Sequence, residues 1–407
     1  MARDYLYHLY HRSVFDSLPP YTSAELPTKA LKEKDPPEQK SFYSLKKDLE
    51  ELRKEGKDKV IVDDGVVSIG KSAKGNDLLA IKVGNGSDHK VLFTGGHHSR
   101  EWISIEVCYL IAEYLIQTYT DAPQNDNERR IKHLLLNREI WFVPMVNPDG
   151  HNFTIDSHRF WRPNRNSYVL GPGTIERPAS RVGNVDYPKR RYFGVDVNRN
   201  YPSSLWGQET FDPQGRPATS RNPQDSGINS TWCGVGPASE PETAAMASLI
   251  GGQGFRCCLT YHSYGQYLLY PVAAGPDTFI QWVGEGMRDL IAGAGRPYTY
   301  GTIPELFYPV TGGMSEFTIE KFPGRPVFAS ELRPSDDDPK SFAFSGLPEN
   351  QIEPCFLENL PAALALINSA GHDTESSPTK CDVTLSSGPI TCQVVQNSWE
   401  VFRDWKP

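Results

Sequence analysis

The sequence has no long apolar run and no surplus of positive charge. Of its 407 residues, 38% are hydrophobic. No stretch reaches the roughly 20 consecutive apolar residues needed to cross a bilayer. The first residues, MARDYLYHLYHRSVF, lack the apolar core of a secretory signal. The formal net charge of −8 leaves no excess of cations to neutralise phosphates. We therefore predict no membrane span, no signal peptide in this chain and no nucleic-acid partner.

Cysteine is also sparse, with seven residues in the chain. An odd number excludes complete pairing within one molecule. Cys381 and Cys392 flank a turn-rich stretch, DVTLSSGPIT, so a local disulfide and a pair of free thiols are both open. Cys108, Cys257 and Cys258 lie within apolar runs, where a thiol behaves as a small hydrophobic group, and we expect them in the core.

Short apolar runs alternate with helical patterns along most of the chain. The run from Ser41 spaces Phe42, Leu45, Leu49 and Leu52 at helical intervals, which predicts an amphipathic helix. Further patterns predict strands at 59–64, 78–84, 90–96, 139–147, 257–262, 267–272 and 327–333, and helices at 103–118, 241–250, 277–292 and 356–368. Several strands are apolar on both faces, as in sheets covered on both sides. We predict one α/β domain with a central mixed, largely buried sheet of about eight strands, covered by helices on both faces.

The ends and two internal stretches differ in composition from this domain. Residues 1–40 are rich in Pro, Lys and Tyr without a period, and we expect an N-terminal arm. Residues 41–370 would form the domain, and 371–407 a C-terminal extension that packs on it. The stretches 163–193 and 203–236 are long, polar and rich in Gly, Pro and Asn. Loops of that length in a compact domain are usually functional rims or insertions.

The window FTGGHHSREWIS contains candidate metal ligands at the end of a predicted strand. His98 and Glu101 lie three residues apart where the chain turns toward a helix, so both side chains can reach one ion. On spacing alone His97 is an equal alternative, and a lone H-x-x-E motif is weak evidence. His262 ends the strand CCLTYH and is the third candidate, because α/β sheets bind ligands at the carboxyl ends of their strands.

Two further windows place charged residues at strand ends. In FGVDVNRNYP, Asp196 and Asn198 would share one face if the backbone is extended. Asp196 could accept the second N–H of a metal-bound histidine, and Asn198 with Arg199 suits a carboxylate. The alternative is a polar loop with a surface ion pair. In VFASELRP, Glu331 ends an apolar strand, where a carboxylate is costly unless it is functional or paired, and Arg333 is its possible partner.

These windows, in this order, resemble the zinc carboxypeptidases of the pancreatic carboxypeptidase A type, the M14 metallopeptidases. The matching motifs are GHHSREW (96–102), NPDG (147–150), FWR (160–162), DVNRN (196–200), HSYGQ (262–266), FYPVTGG (307–313) and ELR (331–333). Seven ordered motifs are far more specific than any one of them. The resemblance implies that 41–370 is a catalytic domain that binds one Zn²⁺ and hydrolyses the C-terminal bond of peptides or proteins with a zinc-activated water.

The resemblance also implies a role for each matching residue of the catalytic centre. The zinc ligands would be His98, Glu101 and His262, with the histidine next to the serine favoured over His97. Asp196 matches the residue that accepts a hydrogen bond from the first histidine and fixes its ring. Glu331 matches the general base, and Arg162 matches the residue that polarises the scissile carbonyl and stabilises the oxyanion.

The substrate would be held by a second group of residues. Asn198 and Arg199 match the pair that binds the free C-terminal carboxylate, and Tyr308 matches the mobile tyrosine that closes over the substrate. Arg100 and Arg159 match outer substrate positions. Because Arg199 is satisfied only when a carboxylate docks, internal peptide bonds would leave a buried cation unpaired, which costs several kcal/mol.

Selectivity would come from the pocket for the C-terminal side chain. Counting from Tyr308 places Ser315 at the position that is apolar in A-type enzymes and acidic in B-type enzymes, with Ile303 and Ala329 beside it. A roomy, neutral pocket predicts apolar or aromatic C-terminal residues. A shift of one position would instead place Glu316 in the pocket and favour basic residues.

Other functions are also open from the sequence. The same residues could hydrolyse another amide beside a carboxylate, such as a cell-wall peptide or an N-acyl amino acid. A silent member of the family that only binds peptide C-termini is disfavoured, because the three metal ligands, Arg162 and Glu331 are all present. We expect a monomer, and the resemblance favours a secreted protein although no signal peptide is seen.

Overall fold

The computed structural model describes residues 42–59, 65–86, 89–170, 190–275, 278–294, 296–335 and 351–371. Several predictions concern other parts of the chain. These are the N-terminal arm, nearly all of the strand at 59–64, most of the stretch 163–193, the C-terminal extension and the bridge between Cys381 and Cys392. All of them lie outside the described residues.

Twelve strands lie in the described residues. They are β1 (Val66–Lys71), β2 (Asp77–Val83), β3 (Lys90–Thr94), β4 (Glu139–Val143), β5 (Ser167–Leu170), β6 (Arg190–Phe193), β7 (Thr210–Phe211), β8 (Pro217–Thr219), β9 (Cys257–Gly265), β10 (Tyr267–Tyr270), β11 (Thr299–Thr302) and β12 (Val327–Ser335).

An eight-stranded mixed sheet forms the centre of the domain, in the order β1-β2-β4-β3-β9-β12-β10-β11. The four inner strands β4, β3, β9 and β12 run parallel to one another. The strands β1 and β10 pair with their neighbours β2 and β12 in antiparallel fashion. Two small antiparallel pairs, β5-β6 and the hairpin β7-β8, stand apart from the sheet.

Helices surround the sheet. They are α1 (Phe42–Asp58), α2 (Trp102–Thr118), α3 (Asp126–Asn137), α4 (Pro148–Asp156), α5 (Pro241–Gln253), α6 (Thr278–Gly293), α7 (Ile303–Leu306), α8 (Met314–Lys321) and α9 (Ile352–Ser369). Consecutive residues of β9 and β12 are buried, so both faces of the sheet are covered, as the apolar runs predict. The long helix α2 is apolar nearly all round and packs on β3, β4 and β9, whereas α1 is amphipathic as predicted.

The predicted α/β architecture is confirmed, with local differences at the sheet edges. The edge strands β1 and β11 have no fully buried residue, so their sequences carry a weak pattern. Helices α3, α4, α7 and α8 were also not predicted. Helices α3 and α4 each begin after an asparagine, Asn125 or Asn147, whose side chain accepts a hydrogen bond from a backbone N–H of the first turn. Cys108, Cys257 and Cys258 are buried free thiols, as expected. Among the described helices, none has the length and apolar character needed to span a bilayer.

Candidate active site

The carboxyl ends of the parallel strands bring three candidate ligands together. His98 follows β3, His262 lies within β9, and Glu101 precedes α2. Glu101 Oε1 lies 2.8 Å from His98 Nδ1. His262 Nδ1 lies 3.1 Å from Glu101 Oε2 and 3.2 Å from His98 Nδ1. One donor atom from each residue lies within 4.8 Å of the others, which suits a shared metal ion. All three side chains are buried.

Two glycines allow the chain to turn sharply between β3 and the ligands. Gly96 has a positive φ of 64°, a conformation that side-chain-bearing residues rarely adopt. A Cβ atom on Gly95 would lie 2.3 Å from the carbonyl oxygen of Ser104. The Ser104 hydroxyl accepts a hydrogen bond from Gly96 N at 3.0 Å and donates one to Glu101 O at 2.6 Å. This close turn directs both His98 and Glu101 toward the sheet edge.

Asp196 links the metal-ligand cluster to Arg162. Its Oδ1 lies 3.2 Å from His98 Nε2, the ring nitrogen opposite the cluster. Its Oδ2 accepts hydrogen bonds from Arg162 Nε at 3.1 Å and Nη2 at 3.0 Å. Burial by itself would raise the pKa of Asp196, but Arg162, His98 and Arg199 hold it well below its usual range. The carboxylate is therefore ionised and can fix the orientation of the His98 ring.

The segment that carries Asp196 is not extended, because Val197–Arg199 forms a 3₁₀ turn that the Asp196 side chain caps. Asn198 Oδ1 accepts a hydrogen bond from Met314 N at 2.9 Å, and Asn198 Nδ2 lies 3.4 Å from His262 Nε2. Arg199 is buried, and its Nε donates to Ala218 O at 2.7 Å. The turn thus brings all three residues of this motif to the same site.

His97, the alternative ligand on spacing, faces away from the cluster. Its Nε2 lies 2.9 Å from the Tyr201 hydroxyl, and its Nδ1 lies 3.4 Å from Thr260 Oγ1. The same hydroxyl lies 3.1 Å from His262 Nε2, the ring nitrogen that the cluster does not use. Sequence reasoning missed Thr260 and Tyr201 in these positions. The alternation of β9 could have indicated Thr260, because residues two apart share one face of a strand.

Glu331 lies beside His262 in the sheet. The two residues are register partners in the parallel pair β9 and β12, so the carboxylate stands at the same edge as the ligands. Arg333, the partner considered for it from the sequence, forms instead a buried ion pair with Glu358 of α9, with Arg333 Nε 3.0 Å from Glu358 Oε1. Arg162 Nη1 lies 3.5 Å from Glu101 Oε1 on the other side of the cluster.

Of the candidate side-chain pocket, Ser315 lies close to Asn198. Ser315 is buried in the first turn of α8, next to the Met314 amide that Asn198 holds. Ala329 lies two residues before Glu331 on β12 and therefore on the same face. Ile303 begins α7. Glu316 is held elsewhere, since its Oε2 accepts hydrogen bonds from Ser203 Oγ at 2.6 Å and Gly312 N at 2.7 Å.

A cleft of about 590 Å³ opens from this site toward solvent, with Arg162 and Tyr308 at its inner end and Arg100 along its wall. Burial raises the pKa of the Tyr308 phenol, which also senses Arg199, Arg162 and Glu331. Burial and the neighbouring Arg162 lower the pKa of Arg100 to about 10. Arg159 donates a hydrogen bond to Arg100 O at 2.9 Å and stacks on Trp102. Arg100 therefore still carries its charge at neutral pH, and Asp212 and Asp225 line the same cleft.

The mixed sheet and the ligand cluster at its carboxyl edge are the marks of an α/β metallohydrolase. The zinc carboxypeptidase family, peptidase M14, matches residues 62–362 of this chain. Carboxypeptidase O of Homo sapiens is 30% identical over 300 residues, 71% of this chain and 68% of its own length. Metallocarboxypeptidase A of Trichophyton rubrum is 28% identical over 316 residues, 74% of this chain and 65% of its own length. The chain belongs to the zinc carboxypeptidase family, and the predicted hydrolase class is confirmed.

Solved structures share the fold at lower sequence identity. Carboxypeptidase A from Helicoverpa armigera gives a TM-score of 0.63 with 21% identity, covering 90% of this chain and 80% of its own. Bovine thrombin-activatable fibrinolysis inhibitor, in complex with tick carboxypeptidase inhibitor, gives a TM-score of 0.62 with 22% identity, covering 82% of this chain and 97% of its own. Both likenesses support the α/β fold described above.

Proposed function

We propose that this enzyme binds one zinc ion through His98, Glu101 and His262 and removes the C-terminal residue of peptides or proteins. The observation that carries this proposal is the meeting, at one sheet edge, of a His-Glu-His cluster, Glu331 and the buried cation Arg199. Hydrolysis needs a general base such as Glu331, and binding of a carboxylate needs a cation such as Arg199. A site that only held a metal ion would require neither residue.

The chemistry of the donor set fits zinc. Two imidazole nitrogens and one carboxylate are the ligands of a catalytic zinc site that leaves a position open. Each of the two histidines is oriented from behind, His98 by Asp196 and His262 by Thr260. A zinc ion held there would supply a Lewis acid that acidifies water and polarises a carbonyl.

The protein side chains would then handle the proton and the developing charge. Glu331 would accept a proton from the attacking water and pass it to the leaving amine, as a general base and then acid. Arg162, held by Asp196 with Nη1 toward the cluster, would stabilise negative charge on the carbonyl oxygen. Loss of one such donor typically lowers the rate by about 10²–10³.

Cleavage would be restricted to the last peptide bond by Arg199 and Asn198. Arg199 is buried with Nη1 4.0 Å from Asp196 Oδ2, so a free C-terminal carboxylate would give the guanidinium a further charged partner that an internal peptide bond does not supply. Tyr308, at the inner end of the cleft, would close the site over the bound residue. Because Ser315 and Ala329 are small and Glu316 is tied to Ser203, we infer a neutral pocket that prefers apolar or aromatic C-terminal residues.

The wider assignment rests on the same site. We infer that residues 41–370 form the catalytic domain and that the enzyme acts as a monomer on peptide or protein C-termini. A secreted location fits the cleavage of extracellular peptides. Hydrolysis of another amide beside a carboxylate would use the same side chains. An assay that compares such amides with peptides as substrates distinguishes the two functions.

The test is a panel of N-blocked dipeptides with free or amidated C-termini, assayed before and after removal of metal by a chelator. We expect turnover of Phe and Leu substrates with a free carboxylate, no turnover of the amides, and recovery when one equivalent of zinc is restored. Turnover that survives chelation would contradict the metal assignment. Preferred cleavage of Lys or Arg would contradict the pocket, and cleavage of N-acyl amino acids alone would favour the other amidase.

A further inference from the structure

The hairpin β7-β8 lies in the long polar stretch 203–236, to which the proposed mechanism assigns no role. Its second strand, with the residue before it, contributes Arg216, Pro217 and Ala218 to the wall of the cleft that Tyr308 and Arg162 also line. The hairpin therefore borders the space that a peptide substrate would occupy. Its contacts with the rest of the site are made by backbone and buried hydroxyl groups.

The hairpin makes direct contact with the proposed carboxylate-binding arginine. Arg199 Nε donates to the carbonyl oxygen of Ala218 at 2.7 Å, and Arg199 Nη1 donates to Asn198 O at 2.9 Å. A guanidinium is planar, so two such contacts fix the plane in which its remaining N–H groups point. The position of Ala218 thus helps to set the direction in which Arg199 can meet a carboxylate.

The next residue, Thr219, ties the hairpin to the segment that carries Tyr308. Its buried hydroxyl accepts a hydrogen bond from Thr311 N at 3.1 Å and donates to Thr311 O at 3.4 Å. A third hydrogen bond runs from the Thr311 hydroxyl to the carbonyl oxygen of Gln208, just before β7, at 2.7 Å. The segment then reaches Gly312, which packs closely against Arg199 because it has no side chain: a Cβ there would lie 2.2 Å from Arg199 O.

We propose that Thr219 is a positioning residue for the substrate's C-terminal carboxylate, which acts by clamping the β7-β8 hairpin to the Tyr308 segment around Arg199. One side of the clamp is Ala218, whose carbonyl orients the guanidinium. The other side is the segment from Tyr308 to Gly312, which lies against the Arg199 backbone. This inference rests on the proposed function, because it assumes that Arg199 receives a carboxylate.

The expected kinetic effect follows from where the clamp acts. The C-terminal carboxylate does not change its charge during hydrolysis, so Arg199 holds it equally in the bound substrate and in the transition state. Weakening uniform binding of this kind raises KM and leaves kcat nearly unchanged. A merely structural lesion would instead lower the amount of active enzyme without shifting KM.

The hairpin supplies its own control for this test. Thr210 lies directly opposite Thr219 in the β7-β8 ladder. The Thr210 hydroxyl oxygen is buried, and among the described residues it has no hydrogen-bond partner. Thr210→Val and Thr219→Val therefore make the same isosteric change on neighbouring strands, and only the second removes hydrogen bonds.

The experiment compares Thr219→Val, Thr219→Ser and Thr210→Val in the full-length zinc enzyme with an N-blocked dipeptide ending in Phe. For Thr219→Val we expect KM to rise about tenfold, because a buried N–H and C=O lose their partner, with kcat within about twofold of the unaltered enzyme. Inhibition by free phenylalanine should weaken by a similar factor. Thr219→Ser and Thr210→Val should leave both values unchanged.

A second variant keeps the test decisive if Thr219→Val does not fold. Thr311→Val removes the hydroxyl that donates to Gln208 O, and it should raise KM in the same direction. An unchanged KM in the folded valine variants, or an equal rise in Thr210→Val, would overturn the inference while leaving the proposed function intact. Failure of the unaltered zinc enzyme to cleave any free C-terminal residue would overturn the proposed function and this inference together.

Discussion

Asp196→Asn tests the connection between the metal ligands and the arginine that would stabilise the oxyanion. Asp196 accepts from His98 Nε2, from two nitrogens of Arg162 and from Asn198 N, at distances of 2.9–3.2 Å. An asparagine amide has one oxygen and cannot accept at both ends. If its NH₂ group faces Arg162, a buried cation meets a donor. If the NH₂ group faces His98, Nε2 must accept and the ring takes the tautomer that protonates the metal-facing Nδ1.

Both orientations remove the charge that pairs with Arg162 and so destabilise the fold, and the orientation that turns the NH₂ group toward His98 also weakens zinc binding. Breaking a buried ion pair from one side typically costs about 3–5 kcal/mol of folding free energy. With an unfolding entropy near 2.1 cal/mol/K per residue over about 330 residues, this lowers the unfolding temperature by roughly 4–7 °C. Loss of the partner of a zinc-bound histidine should weaken zinc binding by about 10–100-fold.

The assay measures thermal unfolding of the metal-free protein and zinc affinity by competition with a chromophoric chelator. Asp149→Asn is the control, because Asp149 is also buried and accepts three hydrogen bonds, from Ser72, Lys74 N and Asn76. The control should lower the unfolding temperature without changing zinc affinity. If Asp196→Asn bound zinc as tightly as the unaltered protein and also kept its unfolding temperature, the inferred link from Arg162 through Asp196 to His98 would be refuted.

Three further predictions concern the base, the pocket and pH. Glu331→Gln should bind zinc normally but lower kcat by about 10²–10⁴; turnover near the original level would remove Glu331 from the mechanism. Ser315→Asp should raise kcat/KM for C-terminal Lys relative to Phe by at least about tenfold through a new charge-assisted contact, and no change would mean that position 315 does not line the pocket. Burial, aided by Glu240, raises the pKa of the Glu242 carboxyl to about 7 from a usual value of 4.5. The unfolded chain therefore releases this proton at lower pH than the folded protein, and stability should fall by about 3 kcal/mol as pH rises from 4.5 through 7. Glu242→Gln should reduce this fall in the free energy of unfolding, measured by denaturant unfolding at several values from pH 5 to 8. An unchanged dependence on pH would mean that another group causes the fall.

The inner strands of the sheet could be predicted because strands that are buried on both faces appear in the sequence as continuous apolar runs. Runs such as CCLTYH and VFASELR are apolar on both faces, and the observed strands β9 and β12 contain them with nearly every residue buried. The edge strands β1 and β11 touch solvent on one side, so their sequences carry no comparable signal. Helix α3 was missed because its apolar stripe is narrow, with only Ile131, Leu134 and Leu135 as buried apolar residues.

The candidate site was likewise predictable only where neighbouring residues in the sequence define it. Spacing alone could not separate His97 from His98, since both lie within one turn of Glu101. Residues distant in sequence distinguish the two histidines in the structure. The ring nitrogens of His97 contact Tyr201 and Thr260, whereas His98 Nε2 contacts Asp196. From the sequence, Arg333 was a reasonable partner for Glu331, because the two residues are two apart on one strand. In the structure Arg333 forms its ion pair with Glu358 of α9, a residue that is distant in sequence.

The sequence by itself determined the kinds of chemical group available and the strand ends that carry them, because those depend on residue type and on neighbours along the chain. It also carried the order of motifs that places this chain in its family. The tertiary structure alone decided which groups meet. Parallel strands brought His98, His262 and Glu331 to one edge, and a hairpin from a polar loop placed Ala218 against Arg199. Such contacts join residues far apart in sequence, and only the folded backbone sets their distances.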